Sequence, residues 1–121
     1  MPSTPLISVI DDEADIRQAL YEMFFGAGYA VNCFESAEQF LGAGAPNPSS
    51  LIISDLQMGG ISGLELIRTL RGRGDATPVI LLTAFATPAI RTFAARSGVS
   101  RIFEKPFKTS ELLEIVLEIV G

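Results

Sequence analysis

The side chains of this sequence that could do chemistry stand at the ends of short apolar runs. Leu6–Ile10 is followed by Asp11, Asp12 and Glu13, Leu51–Ser54 by Asp55, and Val79–Leu82 by Thr83 and Ala84. A weaker run, Arg101–Glu104, leads into Lys105, Pro106 and Phe107. Carboxylates gathered in one place repel one another and make full ionisation costly, a cost that a divalent cation removes. Oxygen ligands without imidazole or thiolate suit magnesium, which combines carboxylates with water and phosphate oxygens. Lys105 offers a point charge for a phosphoryl oxygen, and Thr83 a hydroxyl donor for another. Asp55 is the candidate nucleophile, because a carboxylate accepts phosphate as an acyl phosphate. Singly, each residue has an ordinary use: Asp11 or Asp12 caps a helix, and Asp55 or Lys105 sits in a loop. Their coincidence at four strand ends describes a phosphoryl-transfer pocket.

Such convergence requires the apolar runs to be neighbouring strands. The three strong runs are rich in β-branched residues, too short for helices and almost free of polar interruptions, as in strands covered on both faces. Ala30–Phe34 and Arg101–Glu104 read as outer strands. Helical periodicity lies between the runs. Ile16, Ala19, Leu20, Met23 and Ala27 share one face until Gly28, with Asp12 expected as N-cap. Ser36 with Gln39, and Ser62 with Glu65, form capping boxes for a short helix ending near Leu41 and a longer one carrying Leu64, Ile67 and Leu70. Thr87-Pro88 opens a fourth helix, and Thr109 a fifth with Leu112, Leu113, Val116 and Ile119 inward. Gly42–Ser50 is a surface loop. Five strand–helix alternations imply an α/β fold, a doubly wound parallel sheet with helices on both faces. Placing the most apolar strands centrally gives the order 2-1-3-4-5, with a ligand crevice between strands 1 and 3.

Composition limits the chemistry. A chain of 121 residues, 48% hydrophobic and 19% charged, is expected to form one domain over residues 1–121. The absence of histidine excludes an imidazole base and a histidine-ligated metal. Cys33 is the one cysteine, which rules out an internal disulfide, and it is expected to be buried in the second strand. A net charge of −5, with scattered bases, argues against direct nucleic-acid binding. The opening MPSTPLISVIDDE has no basic residue before its apolar run, and no run has membrane-spanning length, so a cytoplasmic location with no membrane partner is expected. Gly59–Gly63 lacks the lysine of a nucleotide-binding loop and reads as a flexible turn.

The segments VIDDEADIRQAL, SDLQMGGISGLELIRTLR, PVILLTA and FEKPF together resemble the receiver domain of two-component response regulators over essentially the full length. The wording is closest to FixJ-like receivers. The resemblance implies a flavodoxin-like fold, the fold whose 2-1-3-4-5 order the known receivers illustrate. It also implies Asp55 as phospho-acceptor, and Mg²⁺ held by Asp11, Asp12, Asp55 and the backbone carbonyl of Gln57. Thr83 matches the family's switch hydroxyl and Lys105 its lysine, whose bond to Pro106 is cis in many relatives. The implied donor is a sensor histidine kinase or phosphotransfer protein. The implied output is a changed surface of fourth helix, fifth strand and fifth helix, controlling an output domain, a downstream protein or a homodimer. There Arg91, Arg96 and Arg101 are placed to meet Glu111, Glu114 and Glu118. Such a chain catalyses its own phosphorylation and dephosphorylation and is not otherwise an enzyme. Two alternatives belong to other classes: a pseudo-receiver that binds partners without phosphate, and a Mg²⁺-dependent phosphatase, which would want Asp-x-Asp after one strand.

Three positions bear on how such a switch would work. Gly59 stands where relatives usually carry proline, which predicts a mobile loop. Ile102 stands where the family's switch aromatic is expected, so either the adjacent Phe103 substitutes or the fourth helix is used differently. Gln57 and Phe85 lie two residues beyond Asp55 and Thr83, positions that, by the resemblance, tune water access to an acyl phosphate.

Overall fold

Residues 4–44 and 46–121 are described by a computed structural model of the chain. Residues 1–3 and 45 lie outside them, and with them the first residues of the expected domain and one position of the Gly42–Ser50 loop. The order of elements is β1 (Leu6–Ile10), α1 (Ala14–Gly26), β2 (Ala30–Phe34), α2 (Ala37–Gly42), β3 (Leu51–Asp55), α3 (Gly63–Gly72), β4 (Val79–Thr83), α4 (Pro88–Arg96), β5 (Val99–Glu104) and α5 (Thr109–Val120).

All strand pairs are parallel, and the sheet runs β2-β1-β3-β4-β5. Every residue of β3 and β4 is buried, whereas the edge strands β2 and β5 contain none that is. The apolar density of the central runs thus reports coverage on both faces. Alternation along each strand sorts the core into two layers. Ile7, Val9, Ile53, Ile80 and Leu82 face α1 and α5 with Leu20, Phe24, Leu112 and Val116. Ile10, Ile52, Val79 and Leu81 face α2, α3 and α4 with Ala37, Phe40, Leu66, Ile67 and Ala94.

Helix starts follow local chemistry at three sites. Ser36, Ser62 and Thr87 accept hydrogen bonds from the backbone N–H groups of Gln39, Glu65 and Ile90, and Pro88 fills the first turn of α4. The start of α1 differs from expectation. Glu13, not Asp12, holds the N-cap position without a side-chain bond, and the N–H of Glu13 donates to Asp11 Oδ1 at 2.9 Å. Asp12 instead sends its carboxylate toward Asp11 and Asp55.

Two further expectations are corrected. Cys33 is exposed, because β2 is an edge strand and its outer side is uncovered. Arg91 pairs with Glu104 at 3.1 Å, and among the described residues no ion pair joins Arg91, Arg96 or Arg101 to Glu111, Glu114 or Glu118. Glu104 is the nearer anion because it ends the strand on which α4 packs. No helix among the described residues is long and apolar enough to cross a membrane.

Candidate functional site

Parallel strands all end at one rim, so residues distant in sequence meet there. Asp11 directly follows β1; its N–H donates to the Phe34 carbonyl at 3.1 Å, and Arg17 Nη1 donates to its carbonyl at 2.8 Å. Asp55 is the last residue of β3, and the next N–H, of Leu56, donates to the Leu82 carbonyl at 2.8 Å. The N–H of Lys105 donates to the Thr83 carbonyl at 2.8 Å, and the Lys105–Pro106 peptide is cis. A backbone hydrogen bond at or next to each of these residues thus fixes the point from which its side chain starts.

Carboxylate oxygens of Asp11, Asp12 and Asp55 all lie within 4.8 Å of one another. Asp11 is 0% and Asp55 5% exposed, whereas Asp12 faces solvent. The Lys105 ammonium lies between them, 3.2 Å from Asp11 Oδ2, 3.4 Å from Asp55 Oδ2 and 3.5 Å from Glu13 Oε1. Burial pushes the Asp11 carboxyl above the ordinary aspartate range, against the Glu13 N–H and Lys105, which act to lower it. Burial and then the Asp11 charge push Asp55 up as well, with Lys105 and the Gln57 N–H opposing. Burial works against the Lys105 ammonium, but Asp11 and Asp55 outweigh it and raise its pKa. The rim thus holds more negative charge than the half-buried Lys105 ammonium balances. Its donors are hard oxygens at mutual distances that suit a magnesium-sized ion, so the residues fit the metal chemistry expected of them.

The loop after β3 passes close to the site. Gly63 starts α3 so near the strand that a Cβ there would lie 2.5 Å from the Asp55 carbonyl oxygen, and only glycine fits. Gly60 has φ +86° and lies under the Glu38 carboxylate, which accepts from the Ile61 N–H at 3.4 Å. The turn that Gly59 was expected to loosen therefore has a tether from α2. Gln57 is exposed, and its N–H donates to Asp55 Oδ1 at 3.4 Å.

Thr83 is buried at the end of β4, but its hydroxyl is not bonded to the acids or to Lys105. It donates to the Phe85 carbonyl at 3.1 Å and accepts from the Phe85 N–H at 3.2 Å. Reading the sequence missed the roles of Arg17 and Glu13 around the acids and of Glu38 at the loop after β3. Glu13 had a signal, its place in the acidic run; Arg17 and Glu38 had none, because their partners are set by packing.

Residues 7–117 match the response regulator receiver domain family. The transcriptional regulatory protein FixJ of Azorhizobium caulinodans is 35% identical over 121 residues, covering 100% of this chain and 57% of that protein. A second regulator, TdiR of Thauera aromatica, is 32% identical over 91% of this chain and 48% of its own length, so the chain spans about half of these relatives. A response regulator receiver protein from Pseudomonas putida superposes with a TM-score of 0.88 at 30% identity, covering 98% of this chain and 99% of the other. The fold alone is shared with the non-phosphorylated HemR receiver domain of Leptospira biflexa, at a TM-score of 0.91, 22% identity, and coverage of 98% and 95%.

Proposed function

The chain belongs to the response regulator receiver domain family of phospho-accepting signalling switches, and on that premise we propose that Asp55 is its acceptor. One observation carries the assignment: of the clustered acids, Asp55 ends the central strand, is buried, and shares its ammonium partner Lys105 with the neighbouring acid Asp11. A carboxylate oxygen of Asp55 attacks the phosphorus of a phosphohistidine on a sensor kinase or phosphotransfer protein. The new O–P bond forms as the P–N bond breaks, and the imidazole leaves with the electron pair and takes up a proton. Lys105 releases part of its contact with Asp55 and follows the charge onto a phosphoryl oxygen. Thr83 turns its hydroxyl toward another oxygen. Asp11, Asp12, Asp55 and the main-chain carbonyl of Gln57 would hold Mg²⁺, whose positive charge offsets both the crowded acids and the phosphoryl oxygens. Water later hydrolyses the acyl phosphate, so the chain catalyses only its own modification and its reversal.

The domain extends over residues 1–121, works in the cytoplasm, and makes no direct nucleic-acid contact in this reading. The surface of α4, β5 and α5 transmits the state to an output domain, a downstream protein or a second copy. The family membership and the complete acidic set favour this over a pseudo-receiver. Incubation with acetyl phosphate and magnesium, read by intact mass, tests it. One phosphoryl adduct is expected on the wild type and none on Asp55→Asn; an adduct that persists in Asp55→Asn overturns the assignment.

A further inference from the structure

The main chain between Asp55 and α3 carries the Gln57 carbonyl, one of the proposed metal ligands, and it has few ties of its own. Its two ends are closed on each other by the Gly63 N–H, which donates to the Leu56 carbonyl at 2.9 Å. Between those ends Gln57, Gly59 and Gly60 are exposed, and adjacent glycines have the most conformational freedom to lose. Met58 and Ile61 send partly buried side chains into the layer of α2 and α3. Among the described residues, one side chain from outside residues 55–63 bonds the main chain within them. It is Glu38 of α2, which accepts from the Ile61 N–H.

The base from which Glu38 reaches is fixed. The Gln39 N–H donates to Ser36 Oγ at 3.1 Å, the Glu35 N–H donates to Gln39 Oε1 at 2.9 Å, and Ala37 is fully buried. Gly60 receives the carboxylate. A Cβ there would collide with Glu38 Oε2, so any side chain at that position would push the carboxylate off the turn. A Cβ at the adjacent Gly59 would meet nothing within 4 Å.

We propose that Glu38 is a positioning residue for magnesium: by fixing Gly60 and Ile61 from α2, it holds the Gln57 carbonyl in place before any ion binds. The inference rests on the reading that Asp11, Asp12, Asp55 and Gln57 form the metal set. A ligand supplied by a mobile main chain must be ordered on binding, and that ordering subtracts from affinity. With Glu38 in place, the ordering is completed during folding. Glu38 also brings negative charge toward the rim, and the two effects separate cleanly. An uncharged hydrogen-bond acceptor at this position keeps the tether and removes the charge.

The test is ¹⁵N NMR of the whole chain, with magnesium alone as the probe, on the wild type, Glu38→Ala and Glu38→Gln. Relaxation without metal reports fast mobility of residues 59–61, and the shift of the Gln57 amide on titration reports binding. Glu38→Ala should loosen residues 59–61 and weaken magnesium about three- to ten-fold, the contribution of one ordinary hydrogen bond. Glu38→Gln should stay close to the wild type in both, since its amide oxygen still accepts from the Ile61 N–H. Wild-type affinity in Glu38→Ala, weaker binding without a looser loop, or a Glu38→Gln as weak as Glu38→Ala overturns this inference and leaves the metal set standing. A wild type whose Gln57 amide does not respond to magnesium overturns the metal set, and this inference with it.

Discussion

Aspartates at the two ends of the sheet live in opposite conditions. At the carboxyl end Asp11 and Asp55 are buried beside each other, share one ammonium, and have raised pKa values. At the other end Asp75 accepts from the Thr77 N–H at 2.9 Å, from the Thr77 hydroxyl at 2.5 Å and from Asn47 Nδ2 at 3.2 Å. Burial works upward on Asp75, but the Thr77 and Asn47 bonds and the Arg71 charge outweigh it, and its pKa lies below the usual range. Arg71 itself donates to the carbonyls of Asp75, Thr77 and Ser97 at 2.9, 3.0 and 2.9 Å, joining α3 to the starts of β4 and β5. One end is under-compensated and poised for an incoming charge; the other is satisfied and serves the fold. A carboxylate's partners, not its residue type, decide which it becomes.

That contrast is open to direct tests, the first of which has the largest effect. Asp55→Asn abolishes phosphoryl acceptance and, by removing a buried charge beside Asp11, stabilises the chain by about 1–3 kcal/mol in urea unfolding at neutral pH. A loss of stability there would mean that the rim is already compensated. Arg71→Ala should do the reverse. It strands several carbonyls, costs about 2–4 kcal/mol, and leaves the adduct in intact mass unchanged. Loss of acceptance in a folded Arg71→Ala would erase the division between the two ends.

Asp75→Asn sharpens the comparison through pH. The folded-state pKa of Asp75 is depressed, so its ionised form stabilises the chain above the unfolded value of about 3.9, and that contribution is lost as pH falls through the folded value. The variant should be less stable by about 1 kcal/mol at pH 7. The gap between it and the wild type should close in acid, as measured by urea midpoints across pH; a gap of constant size would refute the linkage. The smallest effect is kinetic and returns to the rim. Phe85→Ala should shorten the lifetime of the acyl phosphate a few-fold by admitting water, as followed by the decay of the adduct.

Much was legible before any coordinates. The strand order followed from which runs lacked polar residues, and it is the order observed. The stretch from Asp11 to Lys105 could be read as one rim because parallel strands must end together. Three helix starts were written in their capping residues. The first was not, because Asp12 had two possible partners, a helix N-terminus and the other acids, and local spacing does not choose between them. Cys33 was misjudged for a related reason: composition shows that a strand is apolar but not that its outer side lacks a cover.

The chain's covalent spacing determined periodicity, and periodicity determined elements, their order and the end of the sheet at which the acids collect. Only tertiary structure decided partners across the molecule. It put Phe103 on the face away from Thr83, gave the Thr83 proton to Phe85, and set Arg71 against carbonyls from two separate loops. Those choices depend on distances and angles between segments far apart in sequence, which a one-residue change of register would alter without changing the pattern of residue types.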